Sequence, residues 1–301
     1  MGRLLQVLVD ILLPVFAIVG VGAVAGRRLR IDPRTLSTVA YWITGPAFVF
    51  AVLSRAELGA DLVVKTVLAT AAAMAAAGVV GVAVTRARRR PAPVVGAVTL
   101  TSIYGNVGNF GLAIVAFAYG DRALPLAGIV LVVVNVVGLV VGVAAAHRAH
   151  GWTVALRRAI LAPMTLAVAP AIAVNLAGSE LPLWLDRSVG LLADALIPMM
   201  LVTLGVQLAG MRSARLDVDG ATALVSKLLV APLAAVVAGR IAGLTGIAAG
   251  TIVLQSAMPP AVFTALIGIE HDLEPDLVTA TVVGGTLLSV LTLPLVLLAL
   301  G

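Results

Sequence analysis

GNVGNFG at residues 105–111 and QSAMPP at residues 255–260 are the two stretches that decide the fold of this chain. Each interrupts an otherwise apolar segment, the first at residues 93–119 and the second at residues 245–269. Inside a lipid bilayer, backbone groups freed by glycine and proline are tolerated only beside protein or a water-filled cavity. Two such breaks in corresponding positions indicate the substrate site of a transporter.

The composition is that of an integral membrane protein. Of 301 residues, 61% are hydrophobic and only 11% are charged, and the mean hydropathy of +1.14 is far above that of a soluble domain. A membrane-spanning helix needs about 20 apolar residues. Ten segments meet this requirement, at residues 5–26, 36–53, 62–84, 93–119, 124–146, 155–177, 188–209, 221–241, 245–269 and 277–299. We therefore predict an all-α fold of ten transmembrane helices, with little chain left for a soluble domain.

Several function classes are excluded by residue type. The chain has no cysteine, so disulfides, thiolate metal sites and cysteine nucleophiles are ruled out. Its three histidines, His147, His150 and His271, lie in predicted loops without metal-site spacing. The net charge is +6, but the bases lie in loops where membrane topology places them, so nucleic-acid binding is not expected. We expect neither a cofactor nor a metal, and no enzymatic activity.

The distribution of Lys and Arg predicts the orientation in the membrane. Thirteen bases lie in one set of alternating loops, at residues 27–34, 86–90, 148–158 and 212–215, and six lie in the opposite set. The positive-inside rule places the first set in the cytoplasm, which leaves both termini outside the inner (plasma) membrane. The last cytoplasmic connection, residues 270–276, carries only acids, which weigh little in this rule.

Prolines and breaks recur along the chain and predict an inverted repeat. Four pairs of positions are separated by 149 to 152 residues: Pro14 and Pro163, Pro46 and Pro198, Asn106 and Met258, and Pro125 and Pro275. Residues 1–146 and 155–301 then form two five-helix halves, joined by a cytoplasmic linker at residues 147–154. Five is an odd number, so the halves must have opposite topology. Inverted repeats suit alternating access of a central site to the two sides.

Both breaks fall at the centres of their segments and predict an anion site at mid-membrane depth. The half-helices that begin there would point N-terminal amides and positive dipole ends at the crossing point. Asparagine and glutamine add neutral hydrogen-bond donors, and glycine permits close approach of the backbone. Two structural explanations without a binding function stay open: a helix-packing face of small residues, and a simple proline kink. The candidate substrate-binding residues are Gly105, Asn106, Gly108, Asn109, Gly111, Gln255, Met258, Pro259 and Pro260, together with Asn135 in the fifth segment.

Four ionisable residues in or near the segments are candidates for an accessory charge or for coupling. A charge at mid-bilayer costs about 2.5–3.5 kcal/mol on insertion scales, so each position needs a reason. Asp61 and Lys65 are spaced to pair on one helix face and could equally be interfacial anchors. Lys227 is expected to snorkel to the cytoplasmic surface and to matter less for anion binding than Lys65. Asp194 could carry a coupling proton, although capping or interfacial solvation also explains it.

At these residues the chain resembles the auxin efflux carrier family over essentially its whole length. The run from Gln255 to Pro259, with Glu270, Pro275-Asp276 and Thr279-Ala280 after it, is similar to that family's Q-x-A-x-P…E…P-D…T/S-A pattern. Asn106, Gly108 and Gly111 resemble its N-x-G-x-x-G-x-P motif, from which the chain departs with Ala113 in place of the final proline.

The resemblance implies an elevator-type transporter of small organic anions, such as auxin or dicarboxylates including malate and malonate. It implies crossed fourth and ninth helices, a scaffold of the first, second, sixth and seventh helices that forms a homodimer, and a mobile transport domain from the others. It also implies that Asp61 and Lys65 line a secondary site, and that Asn135 stands where plant carriers have glutamine. The expected partners are the anion, the lipid bilayer and a second copy of the chain.

Other functions stay open on the sequence. A sodium-coupled symporter of the bile-acid type would need acidic ligands beside the breaks, and the nearest Asp and Glu lie well outside them. An intramembrane enzyme would need a Ser–His pair, paired Asp residues or a histidine zinc motif, none of which is visible. A membrane sensor that binds a ligand without moving it is compatible with the same residues.

Overall fold

The computed structural model describes residues 2–146, 151–211 and 215–301. About 85% of the structure is helical, and these ranges contain no β-strand. His147, Arg148, His150 and Arg212 lie outside them, so the expectations that involve these residues stay predictions.

The first half of the chain forms six helices. They are α1 (Gly2–Leu29), α2 (Pro33–Ser54), α3 (Ala60–Ala87), α4 (Ala92–Ile103), α5 (Val107–Tyr119) and α6 (Leu124–Ala146). Asp32 caps α2, because its carboxylate accepts hydrogen bonds from the backbone amides of Arg34 at 3.0 Å and Thr35 at 3.3 Å. These bonds, that of Arg34 foremost, hold the pKa of Asp32 below its usual value.

The second half forms seven helices. They are α7 (Gly151–Ile160), α8 (Pro163–Ala177), α9 (Leu183–Gly210), α10 (Val218–Ile241), α11 (Gly246–Ser256), α12 (Phe263–Glu270) and α13 (Pro275–Leu300). Helix α7 begins at Gly151, inside the predicted linker. It meets α8 at a bend of 51°, and Pro163 occupies the first turn of α8, where its missing amide leaves no bond unmade.

Most of the predicted membrane segments are recovered as long apolar helices. In the described part of the chain, seven helices are long and apolar enough to cross a membrane, or eight if α7 and α8 form one bent span. The predicted segments 93–119 and 245–269 each appear as two short helices, α4 with α5 and α11 with α12. An all-helical membrane protein is therefore confirmed, while ten spans and an inverted repeat stay predictions.

Widened helical turns explain how several prolines are accommodated. Hydrogen bonds from residue i+5 to residue i replace the usual pattern at Val7–Leu12, Ala40–Thr44 and Ser226–Val230. A proline follows two residues after each of these turns, at positions 14, 46 and 232. Proline cannot donate and its ring crowds the preceding turn, and a widened turn relieves both problems within a continuous helix.

The helices pack as two groups. Helices α1, α2, α8 and α9 contact one another, with α1 against α9 and α2 against α8. Helices α3, α4, α10, α11 and α13 form the other group, and α6 packs on α3 and α4. Gly22 and Gly205 bring α1 and α9 together, because a Cβ on Gly22 would lie 2.9 Å from Val202 Cα and a Cβ on Gly205 would overlap the carbonyl oxygen of Val19.

Two sets of ion pairs join helix ends. The Asp219 carboxylate at the start of α10 is only 2% exposed and pairs with Arg90 and with Arg88, the latter at 2.8 Å. This contact ties α10 to the connection between α3 and α4. Arg55 after α2 pairs with Asp186 in α9, and both side chains are exposed.

Candidate functional site

The two sequence breaks meet in space and are joined backbone to backbone. Gly105 and Pro260 form an antiparallel bridge. The amide of Asn106 donates to the carbonyl of Pro259 at 2.7 Å, and the amide of Ala261 donates to the carbonyl of Tyr104 at 2.8 Å. We call residues 104–109 and 257–262 the crossover. The freed backbone groups of each break are therefore satisfied by the other break, as burial in an apolar medium requires.

The geometry of this bridge explains why a proline is tolerated at its centre. Both hydrogen bonds come from the flanking residues, so Gly105 and Pro260 face each other as a non-hydrogen-bonded pair. An amide at position 260 would have no partner across the bridge, and proline has none to satisfy.

A cavity of about 590 Å³ lies against the crossover. One wall is formed by the crossover, through residues 104–109 and Ala261. Residues of α6 and of α12, beginning with Phe263, lie beside it. Helices α2, α8 and α9 form the opposite wall. The polar residues on the cavity wall are Arg34, Ser37, Thr38, Tyr41, Tyr104, Asn106, Asn109, Asn135, Thr203, Gln207 and Glu270. The cavity thus lies between helices α2, α8 and α9 on one side and the crossover with α5, α6 and α12 on the other.

Asn106 lines this cavity and has an unused side-chain hydrogen-bond donor. Its backbone amide is bonded to Pro259, and its carbonyl accepts from the amides of Phe110 at 3.3 Å and Gly111 at 3.0 Å. The residue is 3% exposed, and its side-chain Nδ2 has no hydrogen-bond partner among the described residues. A buried donor without a partner is costly, so this position suits a ligand that brings an acceptor.

Two helices begin at the same cavity. The first residues of α5, from Val107 to Asn109, and the first residue of α12, Phe263, all line it. Amides in the first turn of a helix have no acceptor within the helix, and they carry the positive end of its dipole. The amides of Val107, Thr264 and Ala265 are bonded to nearby carbonyls, so the two helix starts contribute the positive ends of their dipoles to this wall rather than a full set of free amides.

Side-chain hydrogen bonds fix the polar residues around the cavity. The Tyr104 hydroxyl donates to Asn135 Oδ1 at 2.5 Å, which orients the amide of Asn135. On the other side, Asn109 Nδ2 donates to Gln207 Oε1 at 3.5 Å, and Gln207 Nε2 donates to Ser37 Oγ at 3.1 Å. This second chain of bonds spans the cavity from α5 to α9 and α2.

Half of the predicted substrate-binding residues reach the cavity wall. Gly105, Asn106, Gly108, Asn109 and Asn135 line it. The other five, Gly111, Gln255, Met258, Pro259 and Pro260, are buried behind it in the described structure. The Gln255 amide lies over the backbone of α5, where a Cβ on Gly111 would overlap its Oε1 atom.

Several cavity residues were missed by sequence reasoning. Gln207 carried a usable signal, since it is an amide within the apolar segment 188–209, as Asn135 is within its own segment. Tyr104 directly precedes the first break and could have been included with it. Thr203 gave no signal, because threonine is common in membrane helices and bonds to its own backbone, here to the carbonyl of Met199.

The accessory charges lie away from the cavity wall. Asp61 and Lys65 form the predicted pair, with Lys65 Nζ 2.7 Å from Asp61 Oδ2 at the start of α3. Asp194 is exposed on α9. The expectation that Lys227 snorkels to the surface is wrong, because the residue is 3% exposed and its Nζ donates to the carbonyl of Ser256 at 2.7 Å. No group of three His, Asp or Glu residues in the described ranges could hold a metal ion.

A larger hollow of about 1030 Å³ adjoins the cavity at one end of the molecule. The two share Arg34, Ser37 and Gln207 on their walls. The charged residues of the hollow are Arg27, Arg34, Arg215, Asp32, Asp217, Glu274 and Asp276. All of them belong to connections that the distribution of bases assigns to the cytoplasm, so the cavity opens toward that predicted side.

Known proteins similar to this chain are transporters by name. The family model described as "Membrane transport protein" matches residues 147–297, half of the chain. An "Uncharacterized transporter" of Methanothermobacter thermautotrophicus is 29% identical over 270 residues, covering 88% of each chain. A "Putative malonate transporter" of Rhizobium meliloti is 26% identical over 298 residues, covering 94% of this chain and 92% of the relative.

Proposed function

The chain belongs to the membrane transport protein family, the auxin efflux carrier family that its motifs indicate, and on this premise we propose that it is a secondary transporter of small organic anions. We propose a carboxylate as the substrate and the cavity at the crossover as its binding site. The protein is a transporter rather than an enzyme in this proposal.

The unpaired side-chain Nδ2 of Asn106 is the observation that carries the proposal. Asn106 lies beside the first residues of α5 and α12, so this donor and the positive ends of two helix dipoles belong to one wall of the cavity. A carboxylate would supply an acceptor for Asn106 Nδ2 and a negative charge for the two dipole ends. The volume of about 590 Å³ is within the range of about 300–1,000 Å³ that small-molecule sites occupy.

We propose that ten membrane spans form two inverted repeats. Helices α4 and α5 would together make one broken span, and α11 and α12 another, which adds two to the eight spans that length and hydropathy support. The pairing of the two breaks supports this count, since it places an interruption of the same kind in each half of the chain.

We propose an elevator-type movement for the transport step. Helices α1, α2, α8 and α9 would form the scaffold, through which two copies dimerise, and the other helices would carry the crossover. The position of the cavity between these two groups supports the division. With the cavity open on the predicted cytoplasmic side, this structure would be the inward-facing state in the inner membrane, with both termini outside.

Counterflow of labelled malonate in proteoliposomes tests the proposal. Malonate is the first probe because the relative from Rhizobium meliloti is named for it. Wild type should exchange internal for external malonate, and Asn106→Leu should bind it at least about tenfold more weakly because an apolar side chain replaces the free donor. Asn175→Leu is the matched control, since that amide bonds to the carbonyls of Ser54 and Ala56 outside the cavity.

The result separates the proposed function from its rivals. Unchanged malonate affinity in Asn106→Leu would reject the crossover as the site. Saturable binding without counterflow would identify a sensor rather than a transporter. A screen of other small carboxylates by thermal shift on the purified protein would extend the test if malonate is not bound.

A further inference from the structure

Lys227 is a buried lysine that the proposed binding site does not use. It lies in the widened turn of α10 at Ser226–Val230 and is 3% exposed. Its Nζ donates to the carbonyl of Ser256, the last residue of α11, at 2.7 Å. Lys65 and Lys227 are the two lysines of the chain, and Lys65 is exposed by comparison.

The ammonium lies against both breaks at once. A Cβ on Gly105 would be 2.8 Å from Lys227 Cε and 2.9 Å from its Nζ. Gly105 follows the end of α4, and Ser256 ends α11. The lysine therefore sits where the C-terminal ends of two half-helices come together.

The local charges make this position favourable for a cation. The last carbonyls of a helix are unsatisfied and carry the negative end of its dipole. The ion pairs within the described ranges involve Arg55, Lys65, Arg88 and Arg90, and none of them involves Lys227. Backbone carbonyls are thus the counter-charge of the ammonium.

Two buried polar side chains are adjacent in sequence to Lys227 and Ser256. The hydroxyl of Ser226 and the Oε1 of Gln255 are buried, and neither has a hydrogen-bond partner among the described residues. They belong to the residues that precede Lys227 and Ser256 in the chain. In transporters with broken helices, unwound backbone carbonyls and the C-terminal ends of half-helices hold the coupling ion, and the Ser256 carbonyl is a group of this kind.

We propose that the Lys227 ammonium is a built-in substitute for a coupling metal cation at the crossover. It provides the fixed positive charge behind the anion site, so the anion binds and moves without sodium. This inference rests on the proposed function for its consequence in transport, but the occupation of a cation position by Lys227 is a property of the protein alone.

Thermal unfolding without an organic anion tests the occupied position directly. Wild type, Lys227→Ala and the control Lys65→Ala are compared in sodium chloride and in choline chloride at equal ionic strength. Removal of the ammonium leaves space and carbonyl oxygens for a small cation, so sodium should raise the Tm of Lys227→Ala specifically. Wild type and Lys65→Ala should have the same Tm in both salts. Sodium stabilisation of wild type, or none in Lys227→Ala, would overturn the proposal.

A second experiment measures the affinity of the variants for malonate. Wild type should bind with the same affinity in sodium and choline, whereas Lys227→Met, a neutral side chain of similar length, should bind at least about tenfold more weakly in either salt. A wild-type affinity that requires sodium would overturn the inference even if neither variant folds. Absence of malonate binding by wild type would instead count against the proposed substrate, and the unfolding experiment would still decide the role of Lys227.

Discussion

The backbone amide of Asn106 donates a 2.7 Å hydrogen bond to the carbonyl of Pro259, across 153 positions of the chain. The same residue that leaves its side-chain amide free at the cavity uses its backbone to hold the two breaks together. Binding and architecture can therefore be separated at this position, because a side-chain substitution leaves the backbone bond in place.

Asn106→Asp should weaken malonate binding while the protein stays folded. The substitution keeps the size of the side chain but places a carboxylate where the anion is proposed to bind, so like charges repel. We expect affinity to fall by at least about tenfold in equilibrium binding. Ser188→Asp, an exposed change of the same charge, should leave affinity unchanged. Retained binding in Asn106→Asp would place the anion elsewhere.

Gly105→Ala should destabilise the protein through Lys227. The added Cβ would lie 2.8 Å from Lys227 Cε, closer than real Cβ contacts allow. Overpacking costs about 1–3 kcal/mol, and we expect the low end of that range because the atom met is near the end of a flexible side chain. In a Lys227→Ala background the same change should cost less, and a double-mutant cycle of thermal unfolding measures the coupling. Additive effects of the two substitutions would contradict the contact.

Gly22→Val should weaken the packing of α1 on α9. Its side chain would meet the backbone of Val202, which cannot move aside as a flexible side chain can. We expect a loss of about 1–3 kcal/mol, read as a lower Tm. The control lies two residues away on the same helix, since a Cβ on Gly20 would meet no atom within 4 Å. Gly20→Val should therefore unfold at or near the wild-type temperature.

Asp219→Asn should cost more stability than Asp186→Asn. Asp219 is buried and serves two arginines, and loss of its charge leaves both cations unpaired beside a buried amide. We expect a cost of about 1–3 kcal/mol, moderated because the arginines can reach water. Asp186 and Arg55 are about half exposed, and such pairs contribute about 0–1 kcal/mol. Equal Tm values for the two variants would contradict this ranking.

Single introduced cysteines report the orientation directly, because the wild-type chain has no cysteine that would have to be removed first. Arg86→Cys at the end of α3 and Gly301→Cys at the end of the chain are both exposed positions. A membrane-impermeant thiol reagent added to intact cells should label position 301 and spare position 86. The opposite pattern would reverse the proposed topology.

The sequence predicted the breaks because glycine, proline and amides in an apolar run have few physical explanations. Residues 105–111 and 257–260 do depart from regular α-helix, and the two breaks are paired with each other. Which amides would face the cavity depended on the rotation of each half-helix. Gln255 and Gln207 are both amides in apolar segments, yet one packs over Gly111 and the other lines the cavity.

Whether Lys227 is buried or exposed could not be predicted from its position seven residues into a segment. Snorkelling and burial differ only in whether neighbouring helices offer acceptors, and here the end of α11 offers the carbonyl of Ser256. The carbonyl becomes available because α11 stops at the break. A tertiary contact thus decided between two outcomes that the local sequence permits equally, and it removes the reason for ranking Lys65 first.

The bridge between Gly105 and Pro260 has a consequence for the affinities on the two sides of the membrane. It makes the donors at the starts of α5 and α12 parts of one connected piece of backbone. A displacement of that piece would carry these donors unchanged, and only the facing residues of α2, α8 and α9 would be exchanged. Any difference between the inward and outward dissociation constants would then arise from those three helices. Substitutions there would make transport unequal in the two directions.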